Sequence, residues 1–373
     1  MNGKRKILFI AGFPPPASGQ LIMQKKMYDL INAEDKKLIN LNFSAHSKDF
    51  SKKSVKKITR LLTVSLQILT EGIFRQNEIE KVYYSLSGPK KSALIKDILI
   101  GIPLNLFFKK KLILQVHAGG YNDGFIENKL LFNCLRMLYK NIEHLLCLTE
   151  YQKKELDFLC AKTKSIVYNF CEDVAVKKMT FKSNNLNGKS FMRLLSVGHL
   201  NPNKGIAESI TLAKLLKSEG IDFNWRFIGS FQDSAFEDKI RMMIRESNLE
   251  HEVAIENEIA HDLIYTEYNN ADFLIFLSNG PEGQPVVLIE ALMIAKAVII
   301  AKNISGISEY ITNNYNGFLC NDYSEVLPLL KSYNNINTEK IRSNARKTYL
   351  EHFSVNVFSR RMSKIFAKTF ANS

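Results

Sequence analysis

The sequence predicts two doubly wound α/β domains in tandem. Three observations carry this. At 373 residues the chain is long enough for two domains of ordinary size. In both halves short apolar runs alternate with longer segments of helical character, the pattern of a mostly parallel sheet covered on both faces. Between the halves lies a polar, weakly patterned stretch, residues 176–190, which reads as a linker. The expected division is therefore residues 1–175, the linker, residues 191–352, and a closing helix over 353–373.

The first predicted strand is Lys6–Gly12, whose run Ile7-Leu8-Phe9-Ile10 is stopped by Pro14-Pro15-Pro16. Preceded by Lys4-Arg5-Lys6, it imitates a leader peptide, but the run is too short and no small-residue cleavage site follows. Further strands are expected at Lys37–Asn42, Lys81–Ser85, Lys111–His117, His144–Thr149 and Ser165–Tyr168. Helices are expected at Leu21–Ile31, Val55–Phe74, Lys91–Phe108, Glu127–Asn141 and Glu150–Leu159. The apolar part of the third, Leu94–Phe108, is broken by Lys96, Asp97 and Pro103 and falls short of the roughly 20 residues a membrane span needs. In the second half strands are expected at Arg193–Val197, Trp225–Ile228, Val253–Ile255, Phe273–Leu277, Val298–Ala301 and Gly317–Cys320, with helices in the gaps. The last segment, Val355–Phe370, is amphipathic, with Val357, Phe358, Met362, Ile365 and Phe366 on one side.

Five cysteines, an odd number with no C-x-x-C pair, read as reduced thiols in a cytosolic protein. The net charge of +14 lies wholly in residues 1–180, which hold 30 Lys/Arg and 16 Asp/Glu. That asymmetry points to an anionic partner on the first half, nucleic acid or anionic lipid. No nucleic-acid module is recognisable. In Val55–Phe74, Lys52, Lys53, Lys56, Lys57 and Arg60 cluster at the start, while Ile58, Leu62, Leu66, Leu69 and Ile73 recur at helical spacing. Such a helix can lie on an anionic membrane or pack its apolar stripe into the domain with its lysines solvated. The Lys90-Lys91 and Lys109–Lys111 clusters favour a membrane-facing first domain.

The most informative stretch is Glu282-Gly283-Gln284-Pro285, an apolar run and then Glu290, lying between the strands Phe273–Leu277 and Val298–Ala301. A loop at the carboxyl end of a parallel strand that opens a helix is where α/β folds hold nucleotides and sugars. A carboxylate accepts two hydrogen bonds at once, as a sugar diol requires. The passage resembles the E-x7-E signature of retaining, sugar-nucleotide-dependent glycosyltransferases of the GT-B fold, the family four type. Val197-Gly198-His199-Leu200 with Lys204-Gly205 resembles that family's V-G-R-L-x-x-x-K-G loop, with His199 in place of the usual arginine. Val116-His117-Ala118-Gly119-Gly120 resembles its H-x-G element, and Gly12–Gln20 its P-P-x-x-G-G loop. Tyr168-Asn169-Phe170-Cys171-Glu172 is similar to its N-G-V-D element, with Phe170 where glycine is usual. Ser305-Gly306-Ile307-Ser308-Glu309 and Asn316-Gly317-Phe318 resemble the G-G-x-x-E and N-G-x-L elements, with Ser305 replacing a glycine.

The resemblance implies a GT-B fold, two Rossmann-like domains facing across a cleft, and transfer of a hexosyl group from a nucleoside-diphosphate sugar with retention of configuration. It implies that Lys204 and His199 bind the donor diphosphate, with Gly198 and Gly19 letting backbone approach. Glu282 would hold the transferred sugar, the N–H groups of Gly283 and Gln284 would face it, Glu290 would bind the ribose diol, and His117 would line the site. The acceptor implied is a saccharide or polyprenyl-diphosphate-linked saccharide in bacterial surface polysaccharide assembly, O-antigen or capsule, at the inner face of the membrane. No metal or other cofactor is implied, and the sequence offers no convincing D-x-D. Two alternatives stay open: a UDP-sugar 2-epimerase of similar fold, whose acid and base cannot be placed, and an inactive GT-B scaffold, which His199 favours.

Overall fold

The computed structural model describes residues 6–13, 19–31, 36–41, 50–174 and 191–366, with the backbone alone at 50–57. The expected linker, the three prolines of the first loop and residues 367–370 of the expected last helix lie outside the described residues, as do the side chains of Lys52, Lys53, Lys56 and Lys57. The chain divides into two compact units. The first comprises Met1–Phe170, Glu282–Gln284 and Val355–Ser373, and the second Cys171–Pro281 and Pro285–Ser354.

In chain order the first unit holds β1 (Lys6–Ala11), α1 (Gly19–Leu30), β2 (Lys36–Asn40), α2 (Phe50–Arg75), β3 (Ile79–Leu86) and α3 (Lys91–Phe108). It continues through β4 (Leu112–Val116), α4 (Tyr121–Glu127), α5 (Lys129–Leu138), β5 (His144–Cys147), α6 (Glu150–Glu155) and β6 (Thr163–Ile166). The strands form one sheet in the order β2-β1-β3-β4-β5-β6, with every pairing parallel. β1 and β4 are buried along nearly their whole length, which is why they read as continuous apolar runs rather than alternating ones. Phe9 of β1 stacks on Tyr83 of β3 with centroids 4.2 Å apart.

The second unit holds β7 (Met192–Val197), α7 (Ile206–Ser218), β8 (Phe223–Ile228), α8 (Ser234–Glu246), β9 (Val253–Glu256), α9 (His261–Asn270) and β10 (Phe273–Phe276). After these come α10 (Val286–Ile294), β11 (Val298–Lys302), β12 (Phe318–Cys320), α11 (Val326–Lys331) and α12 (Thr338–His352). Its sheet runs β12-β11-β10-β7-β8-β9, again all parallel. The order reverses direction between β7 and β10, so the loops leaving these two neighbouring strands diverge. Open α/β sheets bind ligands at that switch point, outside the carboxyl ends of the strands.

The final helix, α13 (Val355–Phe366), packs on the first unit. Phe358 stacks on Phe170 at 4.1 Å, and Phe366 lies 6.5 Å from Tyr83. The inward face is Val355, Phe358, Met362 and Phe366, while Val357 and Ile365 are half-buried at its margin.

Two element expectations are corrected. The helix expected over Glu127–Asn141 is the shorter α5, and a further helix that was not expected, α4, precedes it, the two separated at Asn128 (φ −133°, ψ 40°). Asparagine competes for local backbone groups and is a weak helix former, and the Asn128 amide turns back to the Gly124 carbonyl. α6 stops at Glu155 rather than Leu159, where the Leu156 N–H closes the last turn on Gln152. Of the two arrangements open for α2, the structure gives the outward one: apart from the half-buried Leu69, the stripe Ile58, Leu62, Leu66 and Ile73 points away from the core. Each of these side chains is about 60% exposed, and the helix packs instead through Val64 and Ile68. Gly72 meets Phe107 of α3 so closely that a Cβ would overlap the ring. Among the described residues no helix is long and apolar enough to cross a membrane. None of the five cysteines is bridged.

Candidate functional site

In the second unit the site is built where β7 and β10 end. Gly198 closes β7 with φ +134°. The turn that follows reaches Asn203, whose carbonyl accepts from three groups of the loop after β10: the Asn279 N–H at 2.8 Å, the Gly280 N–H at 3.1 Å and the Ser278 hydroxyl at 3.0 Å. These bonds lock the two diverging loops together. Gly205 ends the turn with φ +69°, pressed against the Leu277 carbonyl where any Cβ would overlap it. Glycine is therefore required twice over, for conformation and for space. Lys204, one residue before, carries its ammonium 5.7 Å from the centre of the Phe276 ring at the end of β10. The structure thus brings Gly198, Lys204 and the β10 loop to one place.

His199 follows Gly198, but its Nδ1 lies 3.6 Å from a Glu258 carboxylate oxygen and its side chain is 40% exposed. A carboxylate at that position competes with an anionic ligand for the imidazole.

Glu290 lies on α10 with its side chain 5% exposed. One carboxylate oxygen is 2.8 Å from His261 Nε2, and the other accepts the Tyr268 hydroxyl at 3.0 Å. The Tyr265 hydroxyl lies 3.2 Å from the second ring nitrogen of His261. Burial and the Glu290 charge raise the pKa of Tyr268 well above its usual value, so that hydroxyl keeps its proton and donates. A carboxylate has about four acceptor positions, so two remain for a further pair of donors. His261, Tyr265 and Tyr268 escaped the sequence reading because 22 and 29 residues separate Tyr268 and His261 from their partner, and no local motif signals the pairing.

The first unit assembles the remaining residues around the end of β4. Glu282–Gln284 clusters with this unit although α10 follows directly in sequence. Gly119 packs against the backbone of Glu282, and Gly283 against the His117 carbonyl, each so closely that a Cβ would overlap. Asn169 clamps the same segment. Its N–H donates to Gln284 Oε1 at 2.7 Å and its side-chain amide to the Gln284 carbonyl at 3.1 Å. His117, Glu282, Gly283 and Gln284 are thereby brought together, with Glu282 half-buried and the two residues after it buried. Asn169 sits in the stretch Tyr168–Glu172, to which the sequence assigns no catalytic role.

Both ring nitrogens of His117 are shielded from solvent and lack a well-formed hydrogen bond. Burial pushes its pKa down to about 4, against a smaller opposing effect of the neighbouring Asn169 side chain. The imidazole is therefore neutral at pH 7 and has a donor available. Its loop is held from beneath by α6: Gln152 donates to the Ala118 carbonyl at 2.7 Å, and Glu155 receives the N–H groups of Gly120, Tyr121 and Asn122. Gly19 is the first residue of α1 and is exposed. Ser305 adopts φ +50° and Gly306 φ +81°, so the serine takes up a left-handed conformation in which glycine would be unstrained.

A cavity of about 350 Å³ lies elsewhere in the second unit, at the amino ends of β7 and β8, bordered by Arg193 and Arg226. Both guanidiniums are already paired, Arg193 with Asp272 and Arg226 with Glu256 and Glu267. Three carboxylates against two cations leave no attraction for a phosphate. Among the described residues no three His, Cys, Asp or Glu gather as a metal site.

Residues 177–347 match the family described as Glycosyl transferases group 1. The chain is 26% identical over 258 residues to the amylovoran biosynthesis glycosyltransferase AmsK of Erwinia amylovora, a match covering 65% of this chain and 57% of AmsK. It is 26% identical over 219 residues to the uncharacterized glycosyltransferase MJ1178 of Methanocaldococcus jannaschii, covering 57% of this chain and 56% of that protein. The chain thus spans little more than half the length of these relatives. Its fold is similar to that of Anabaena HepE, crystallised in complex with UDP, at 14% identity and a TM-score of 0.71, with 97% of this chain and 99% of HepE covered.

Proposed function

We propose, from a chain whose residues 177–347 belong to the glycosyl transferases group 1 family, that it moves a hexosyl group from a UDP-sugar to an acceptor hydroxyl with retention of configuration. The observation that carries this is the locked pair of loops at the β7–β10 switch point, which holds the Lys204 ammonium at the carboxyl ends of the sheet. That is the position of a leaving diphosphate in folds of this class.

In the reaction the bond from the anomeric carbon to the phosphate oxygen breaks and its electron pair leaves with the diphosphate. The acceptor oxygen forms the new bond on the same face, and its proton passes to the departing phosphate. Lys204 stabilises the developing negative charge as a fixed point charge. Neutral His117 and the Glu282 carboxylate hold hydroxyls of the transferred sugar, the first donating and the second accepting. The N–H groups of Gly283 and Gln284 face the same sugar. Glu290, oriented by His261 and Tyr268, receives the ribose diol. Lys204 supplies the leaving-group charge, so transfer proceeds in the presence of EDTA.

The relation to AmsK, an amylovoran biosynthesis glycosyltransferase, supports a role in polysaccharide biosynthesis, and the acceptor we assign to that role is a saccharide or a polyprenyl-diphosphate-linked saccharide. HepE's complex with UDP favours a uridine donor. The test is transfer of labelled sugar to a lipid-linked saccharide acceptor. Glu282→Ala is expected to lower kcat/KM by about 10²-fold or more, as loss of a preorganised active-site contact does. Full activity in that variant would refute the role. Turnover of the donor to an isomer without acceptor would favour the epimerase reading.

A further inference from the structure

We infer that the outer face of α2, α3, α4 and α5 is an anionic-membrane docking surface, in which apolar side chains enter the interface and lysines contact the headgroups. On α2 the exposed apolar residues are Ile58, Leu62, Leu66, Ile73 and Phe74. On α3 they are Ile95, Leu99, Ile102 and Leu106, a spacing of four, three and four that lines one side of a helix. Ile126 of α4 and Leu130 and Met137 of α5 continue the set, each at least 74% exposed.

These helices are neighbours. α2 meets α3 where Gly72 lies on Phe107, and α3 meets α5 where Gly101 lies on Tyr139 and Leu138. Monomeric proteins rarely leave a contiguous apolar patch larger than a few hundred Å² without a use for it. Here twelve large apolar side chains are exposed on adjoining helices.

Charge identifies the occupant. The four helices contain ten Lys/Arg and four Asp/Glu. Of the four carboxylates, Asp97 is wholly buried and Glu71 is tied to Lys37. Lys91, Lys110, Lys129, Arg136 and Lys140 are exposed on these helices or next to them, against the exposed Asp123 and Glu127 of α4. A patch of this composition fits anionic headgroups above an acyl boundary. A second copy of the chain fits poorly, because a two-fold interface sets a patch against itself and would bring like charges together. Ten basic residues alone would give salt-sensitive adsorption. The apolar face predicts a component that survives salt.

The experiment is co-sedimentation of the full chain with vesicles of phosphatidylcholine alone and mixed with phosphatidylglycerol, at low and high salt, without donor or acceptor. Its result is thus independent of the proposed transfer. Wild type is expected to pellet with the mixed vesicles and to remain partly bound at high salt. Leu62→Ser/Leu66→Ser/Ile102→Ser/Leu106→Ser should lower the partition coefficient at least roughly tenfold with cooperative unfolding retained, since each of these side chains is more than half exposed. Lys91→Gln/Lys129→Gln/Arg136→Gln should weaken binding to the mixed vesicles at low salt, and leave the salt-resistant part, while retaining the native fold. Wild type left in the supernatant, or a quadruple variant that binds like wild type, would overturn the inference. So would a lipid-free dimer that the quadruple variant dissolves, which would give the face to a second copy.

Discussion

At the scale of single residues, the candidate site is made of groups whose protonation and approach are set by burial. His117 is the clearest case. Its folded pKa of about 4 lies below the ordinary value of 6.5, so between those two pH values the unfolded chain binds more protons than the folded one. Stability contributed by keeping the imidazole neutral is complete above pH 6.5 and is lost as pH falls toward 4. The slope reaches at most roughly 1.4 kcal/mol per pH unit. Urea unfolding followed across that window should show it in wild type and not in His117→Asn. An identical slope in both would remove His117 as its source. Glu290 shows the converse limit on sequence reading. The E-x7-E spacing identifies the residue, but nothing local identifies His261 and Tyr268, which fix both its oxygens. Such partners are found only when the sheet order brings α9 against α10.

At the scale of elements, the apolar runs locate every strand to within a few residues, because strands buried on both faces have little polar sequence to blur them. Helix faces are less legible. The periodicity of α2 shows that an apolar stripe exists, and the same pattern would result whether the stripe met the core or solvent. Only packing through Val64, Ile68 and Gly72 decides it. α4 is not legible because its seven residues, Tyr121–Glu127, are too few for a helical periodicity and include Gly124. α13 gives a quantitative test. Phe358 is 4% exposed and stacked on Phe170. Truncation to alanine should cost the first unit about 3–5 kcal/mol, the range for a buried aromatic. Leu350→Ala, on α12 and 47% exposed, should cost under about 0.5 kcal/mol. Comparable denaturant midpoints for the two variants would mean α13 is not docked as described.

At the scale of the whole molecule, the candidate donor residues fall in two sets built by the same topological rule. Each sheet reverses strand order once, between β1 and β3 in the first and between β7 and β10 in the second. The loops that matter leave the carboxyl ends of strands in both. Glu282–Gln284 belongs by contact with the first unit and by sequence with the second, joined to α10 and Glu290. The motif was legible because glycine is forced at Gly283, where the backbone meets the His117 carbonyl. Its clustering with the first unit was not, because contact across distant sequence leaves no periodicity. The most direct test of the central claim is thermal denaturation of wild type and Glu290→Gln with UDP, 2′-deoxy-UDP, GDP and ADP. UDP should raise the Tm of wild type by mass action, 2′-deoxy-UDP should raise it less, and Glu290→Gln should lose the difference between them. Equal shifts with UDP and 2′-deoxy-UDP in wild type, or no shift with any nucleotide, would contradict the account.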